Sequence, residues 1–119
     1  VDEIVLYGLP NCGSCDKAQA WLRKHQVGFR FVDYRSERIA PELLRSWATA
    51  LGWSQLINRA GTTWKMLPPS RKHPQSDPEW TLLIKEYPTL VKRPALTIGA
   101  GAPTLGFSDS LYKRVFARD

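Results

Sequence analysis

The chain has 119 residues, with 17 Lys and Arg against 11 Asp and Glu, a net charge of +6 and 43% apolar residues. That length supports one hydrophobic core, and five Trp, four Phe and four Tyr exclude a disordered chain. No window nears the roughly 18 apolar residues of a membrane span, and the start shows no basic region followed by a long apolar stretch, so a cytoplasmic protein is expected. The basic residues, from Arg23 and Lys24 to Lys113 and Arg114, are scattered without a run of five or six or an interleaved aromatic platform. This points away from nucleic acid and toward small anions. Two cysteines are too few for a disulfide framework or a Cys-only zinc site, and His25 and His73 lie far from them, so no metal is expected.

In chain order, Glu3 to Gly8 reads as a buried strand stopped by Gly8 and Pro10. Cys15, Ala18, Leu22 and Gln26 follow helical spacing, with Gly28 as the expected stop. Phe29 to Tyr34 is a second strand, which makes the first 34 residues a βαβ unit with a parallel pair. Pro41 opens a helix that buries Leu43, Leu44, Trp47 and Leu51 and ends at Gly52. A short apolar segment, Trp53 to Ile57, precedes the turn-rich stretch Asn58 to Thr63. Pro68 to Pro78 reads as a surface loop, with Asp77 as cap and Pro78 as first residue of a helix that Pro88 stops. Ala95 to Ile98 and Thr104 to Phe107 read as a hairpin, and Ser108 caps a last helix with Leu111 and Val115 inward. The order βαβ, helices, ββα is that of an α/β, thioredoxin-like (glutaredoxin-like) mixed sheet in one domain, with a helical insert over about 41–88.

The chemistry concentrates at Tyr7-Gly8-Leu9-Pro10-Asn11-Cys12-Gly13-Ser14-Cys15, a C-x-x-C pair at a strand-to-helix junction. In this context the pair is a redox motif before it is a metal motif. Cys12 meets the unpaired N–H groups and positive dipole end of the helix, which favour a thiolate. Cys15 begins the apolar stripe. Cys12 is therefore the expected nucleophile and Cys15 the resolving thiol. Arg59, in the donor-rich loop Asn58-Arg59-Ala60-Gly61-Thr62-Thr63, and Arg93, before Pro94 at a strand entry where a cis bond can form, are candidates to grip an oxyanion. Sequence spacing alone does not bring residues 12, 59 and 93 together. Asn11, Gly13, Ser14, Thr62 and Pro94, beside these groups, are the expected substrate-contacting residues. The tryptophans read as core, with Trp64 also a candidate to line the site, and both histidines read as structural or solvated.

Over nearly its whole length the chain resembles the arsenate reductase (ArsC) family, in particular its YffB-like branch. The resemblance rests on Tyr7 to Cys12, Asp33-Tyr34-Arg35, Leu56 to Trp64, Val91-Lys92-Arg93-Pro94 and Leu105-Gly106-Phe107. It implies a nucleophilic cysteine at Cys12 and arginines at Arg59 and Arg93 around an oxyanion. Two departures stand out: Phe107 occupies the place of a third arginine, and Cys15 is a second cysteine that arsenate reductases of the glutathione- and glutaredoxin-coupled type generally lack. Together they point to a thiol-dependent reductase acting on a disulfide, a glutathione adduct or a small oxyanion. Glutathione, glutaredoxin or thioredoxin would then be the reductant, and no bound cofactor is needed. The chain more distantly resembles Spx, a redox-sensing regulator that binds RNA polymerase, which supplies the alternative reading.

Overall fold

The computed structural model describes residues 2–117. The chain divides into two compact units, one running to Asp33 and resuming at Arg93, the other spanning Tyr34–Lys92. The insert expected over about 41–88 falls inside the second.

In the first unit, β1 (Ile4–Gly8) lies between β2 (Arg30–Asp33), which is parallel to it, and β3 (Ala95–Ile98), which is antiparallel. A short β4 (Thr104–Leu105) extends the sheet to the order β2-β1-β3-β4. The unbroken apolar run in β1 reflects its central place, since Val5 and Leu6, on opposite faces, are both buried. The sheet is mixed, as the element order predicts. Helix α1 (Gly13–Lys24) turns Ala18, Trp21 and Leu22 onto Leu6 and Leu96, and α6 (Asp109–Val115) adds Tyr112 to the same cluster.

Helix α1 does not stop at Gly28. Gln26 takes the left-handed conformation (φ 59°), and the N–H groups of Gln26 and Val27 donate to the carbonyls of Arg23 and Leu22, closing a Schellman turn. Val27 then packs on the cluster that contains Leu22, and this contact carries the turn without a glycine. In α6 the fully buried residue is Tyr112, while Leu111 and Val115 are partly buried beside it.

The second unit is helical: α2 (Pro41–Leu51), α3 (Trp53–Leu56), α4 (Thr62–Met66) and α5 (Asp77–Glu86), with 3-10 turns at Pro69–Arg71 and Pro88–Leu90. Gly52, at φ 88°, ends α2 as expected. The cap of α5 is Ser76 rather than Asp77. Its hydroxyl accepts from the Glu79 N–H, and Glu79 in return accepts from Gln75 N–H, a capping-box arrangement worth about 1 kcal/mol. The Tyr34 hydroxyl donates to the Val91 carbonyl at 2.7 Å, tying the start of this unit to its end.

Gly8 is the most tightly enclosed glycine of the first unit, because a β-carbon there would stand 2.7 Å from the Cys15 sulfur and 3.3 Å from the Phe31 ring. Gly8→Ala is expected to destabilise the protein by ~1–3 kcal/mol through overpacking. Gly28→Ala, where nothing lies within 4 Å, should change stability by less than about 1 kcal/mol. Urea unfolding of the two variants compares them directly.

Candidate active site at the first helix terminus

After β1 the chain turns through Asn11, whose left-handed backbone (φ 58°) suits asparagine, and delivers Cys12 to the N-cap of α1. Cys12 is partly exposed and Cys15, three residues on in the first turn, is fully buried; both are free thiols. As a neutral thiol Cys12 closes no side-chain cap bond, so the helix offers its terminal N–H groups to a thiolate.

Partial burial pushes the Cys12 thiol up, but several donors outweigh it. The Ser14 hydroxyl, 3.5 Å from the sulfur, contributes most, followed by the Cys15 N–H, the Cys15 thiol and the Arg93 guanidinium, and the pKa falls from 9.0 to about 7. Cys15 moves the opposite way, to about 11. Burial is the main cause, and its own bond to Cys12 and the negative charge there add to it, against the lowering effects of the Leu9 backbone and Arg93. One thiol is thus ionised near neutrality and the other holds its proton.

Of the expected site residues, Arg93 does reach Cys12, and its bond to Pro94 is cis. Arg59 belongs to the second unit, where its guanidinium lies over the Trp64 ring at 5.2 Å. Trp64 in turn stacks with Trp80 at 6.4 Å, and Trp80 with Trp53 at 5.7 Å. Asn58 shapes the loop before Arg59, accepting from the Ala60 N–H at 3.1 Å, and Asn58 N–H donates to Leu90 O beside the Ile57–Val91 bridge. Ser14 touches the nucleophile itself, Gly13 and Thr62 are exposed, and Pro94 is fully buried. Phe107 packs edge-on against Tyr112 at 4.8 Å. His25 stacks on Trp21 at 3.8 Å and bonds its carbonyl, a structural role. Sequence reasoning named Ser14 only as a substrate contact and did not find the Cys15-to-Cys12 bond. The one signal for both was the C-x-S-C spacing itself.

The sequence pattern of the ArsC family matches residues 7–115. The chain belongs to the ArsC family. The solved structure of the YFFB protein superposes with a TM-score of 0.86 at 36% identity, covering 96% of this chain and 99% of that one. An uncharacterized protein of Haemophilus influenzae is 32% identical over 96% of this chain and 99% of its own length. The global transcriptional regulator Spx of Enterococcus faecalis is 29% identical over 98% of this chain and 88% of its own. The fold is that of the family, an α/β mixed sheet with a helical insert. Among the described residues no helix is long and apolar enough to cross a membrane, and no cluster of His, Cys, Asp or Glu could hold a metal.

The two thiols are expected to differ in alkylation by iodoacetamide. Cys12 should react with a midpoint near pH 7 and Cys15 should stay protected up to about pH 10. Arg93→Ala and Cys15→Ala each remove a donor that favours the thiolate, so each should move the Cys12 midpoint upward, which pH profiles of mass-detected labelling will read. Because folding depresses this pKa from 9.0 to about 7, the thiolate's contribution to stability is complete above pH 9 and is lost as pH falls through 7. The stability gap between wild type and Cys12→Ser should open in that window.

Proposed function

We propose that this ArsC-family protein is a thiol-dependent reductase of disulfides or glutathione adducts. The observation that supports this most directly is the pairing of a partly exposed Cys12 at a helix N-terminus with a buried Cys15 one turn on, whose thiol hydrogen-bonds to Cys12. The Cys12 thiolate attacks one sulfur of the substrate disulfide, forming a mixed disulfide and releasing the other half as a thiolate. Cys15 then gives its proton to a departing thiolate and attacks the Cys12 sulfur, which leaves a Cys12–Cys15 disulfide and frees the second half of the substrate. Two equivalents of glutathione, or one dithiol protein such as a glutaredoxin or thioredoxin, restore both thiols.

The order of these steps follows from the electrostatics. While Cys12 is a thiolate, its charge and hydrogen bond hold the Cys15 proton in place. Once Cys12 is consumed in the mixed disulfide both influences vanish, and the Cys15 pKa drops toward what burial alone imposes. Arg93 is assigned to stabilise the thiolate and the incoming anion, and Arg59 to the substrate, the latter by family resemblance. Arsenate is the weaker candidate substrate, because Phe107 stands where a third arginine is expected and is packed against Tyr112. One fewer charge-assisted bond costs about 1.5–3 kcal/mol. The second reading, a redox-sensing regulator, is supported by the 29% identity to Spx over 98% of the chain.

The experiment is turnover of bis(2-hydroxyethyl) disulfide, a glutathione adduct and arsenate under glutathione and under thioredoxin, with mass spectrometry of Cys12 after one cycle. Turnover of a disulfide or adduct is expected, with kcat/KM for arsenate lower. Cys12→Ser should lose roughly a thousandfold or more, and Cys15→Ser should trap the mixed disulfide on Cys12. Arg93→Ala should slow turnover, and Arg93→Lys should restore it only in part, since an ammonium lacks the forked geometry. Absence of turnover with every reductant, together with binding to RNA polymerase that depends on the Cys12–Cys15 disulfide, would establish the regulator reading instead.

A further inference from the structure

The second unit contains a cavity that the thiol chemistry does not use. Its volume is about 410 Å³, within the roughly 300–1,000 Å³ of small-molecule sites, and every residue lining it falls between Tyr34 and Val91. Tyr34, Leu44, Ile84 and Val91, all buried, give it an apolar wall. Pro41, Pro78 and Pro88, from the first turns of α2, α5 and the second 3-10 turn, add surfaces with a fixed φ and no N–H, so this part of the lining is rigid and apolar. Leu82 of α5 lines the same cavity and is 53% exposed, which leaves a large apolar side chain in water at its edge.

The polar groups of the lining restrict what it can hold. Its two hydroxyls have committed their protons to backbone carbonyls, Tyr34 to Val91 at 2.7 Å and Thr81 to Pro78 at 3.1 Å. The other polar side chains of the lining are two cations, Arg38 and Lys85, both exposed. Among the described residues neither makes an ion pair, and no Asp or Glu lines the cavity. Two carboxylates near in sequence are engaged elsewhere: Asp77 accepts from the Trp53 indole N–H at 2.8 Å, and Glu86 pairs with Arg71 at 2.8 Å. We propose that this cavity binds a small organic acid, its apolar body against the buried wall and Leu82 and its carboxylate with Arg38 and Lys85. The body gains by leaving water, and a lining built on prolines loses little freedom when it does. The cations then select the head group. A carboxylate makes charge-assisted bonds to them, a neutral alcohol forgoes most of that gain, and an ammonium is repelled. The cavity uses neither thiol, so the inference stands apart from the reductase reading.

The test is a titration of the full chain, followed by amide chemical shifts, with octanoate, 1-octanol, octylammonium and acetate. Octanoate is expected to bind saturably, about tenfold or more tighter than 1-octanol, as one charge-assisted bond would give, with shifts centred on residues 34–44 and 78–91. Acetate, which lacks the body, and octylammonium, which has the wrong charge, should not saturate over the same range. Arg38→Gln with Lys85→Gln should cut the preference for octanoate over 1-octanol to about twofold or less, and Leu82→Asp should weaken octanoate about tenfold or more. All three side chains are exposed, so the fold should be retained, and the dispersion of the amide spectrum reports on it. Absence of saturable binding, shifts centred elsewhere, equal affinity for octanoate and 1-octanol, or an octanoate preference that survives in the double variant would each overturn the proposal. So would shifts at these residues that follow protein concentration without any ligand, which would assign the cavity to a second copy of the chain.

Discussion

The sulfur of Cys15 sits where a β-carbon on Gly8 would come within 2.7 Å of it, so the last residue of β1 and the first turn of α1 are in direct contact. That closeness fixes the junction. With the strand end pressed on the buried thiol, the turn through Asn11 has little freedom, and Cys12 is held at the helix N-cap with its sulfur partly in solvent. A larger residue at Gly8 would push Cys15 outward and with it the hydrogen bond that Cys15 gives to Cys12. Packing at the strand end and ionisation at the helix start are therefore one problem, solved by one missing side chain.

Placement then sets the chemistry. Two identical thiols one turn apart end with pKa values of about 7 and about 11 because one lies among donors at the surface and the other in the core. Each also acts on the other: the proton of Cys15 stabilises the Cys12 thiolate, and that thiolate holds the proton on Cys15. Arg93 lowers both. Its effect on Cys15 is only through charge, whereas it donates a hydrogen bond to Cys12, so the contact reinforces the difference between the two.

The first unit was largely readable from sequence because its signals are local. The apolar run of β1, the C-x-x-C at its exit, the stripe of α1 and the Ser108 cap each need only neighbouring residues. The readings that shifted are those in which a tertiary contact replaced a local preference. Gln26 takes the left-handed turn in place of Gly28 because Val27 gains a core contact, and Ser76 caps α5 in place of Asp77 because Glu79 completes the reciprocal bond. Tyr112 was missed because its neighbours Leu111 and Val115 look more apolar, although its ring is the fully buried one and meets Trp21 and Phe107 edge-on. Helix α4 was hidden by the turn-forming Asn58 to Thr63. The pairing of Arg93 with Cys12 could not be read from spacing, since 80 residues of chain separate them; the strand entry before Pro94 marked Arg93 as a candidate, and the family resemblance set it around the oxyanion.

Capping extends the same logic to where an anion can be held in the first unit. Helix α6 has one terminal donor, Leu111 N–H, engaged by the Ser108 hydroxyl at 3.1 Å, and its first turn also carries Asp109, bound to Trp21 and Lys113. An incoming anion would meet a satisfied donor and a carboxylate there. Helix α1 differs on both counts: its N-cap is a cysteine that makes no side-chain cap bond, and an arginine faces the same sulfur. A serine at the N-cap would have engaged one of the helix's terminal N–H groups, at a gain of about 1 kcal/mol, and competed with an incoming anion for it. Leaving that gain unrealised keeps the terminal donors available for the charge that forms on Cys12 and moves onto the sulfur or oxygen it attacks.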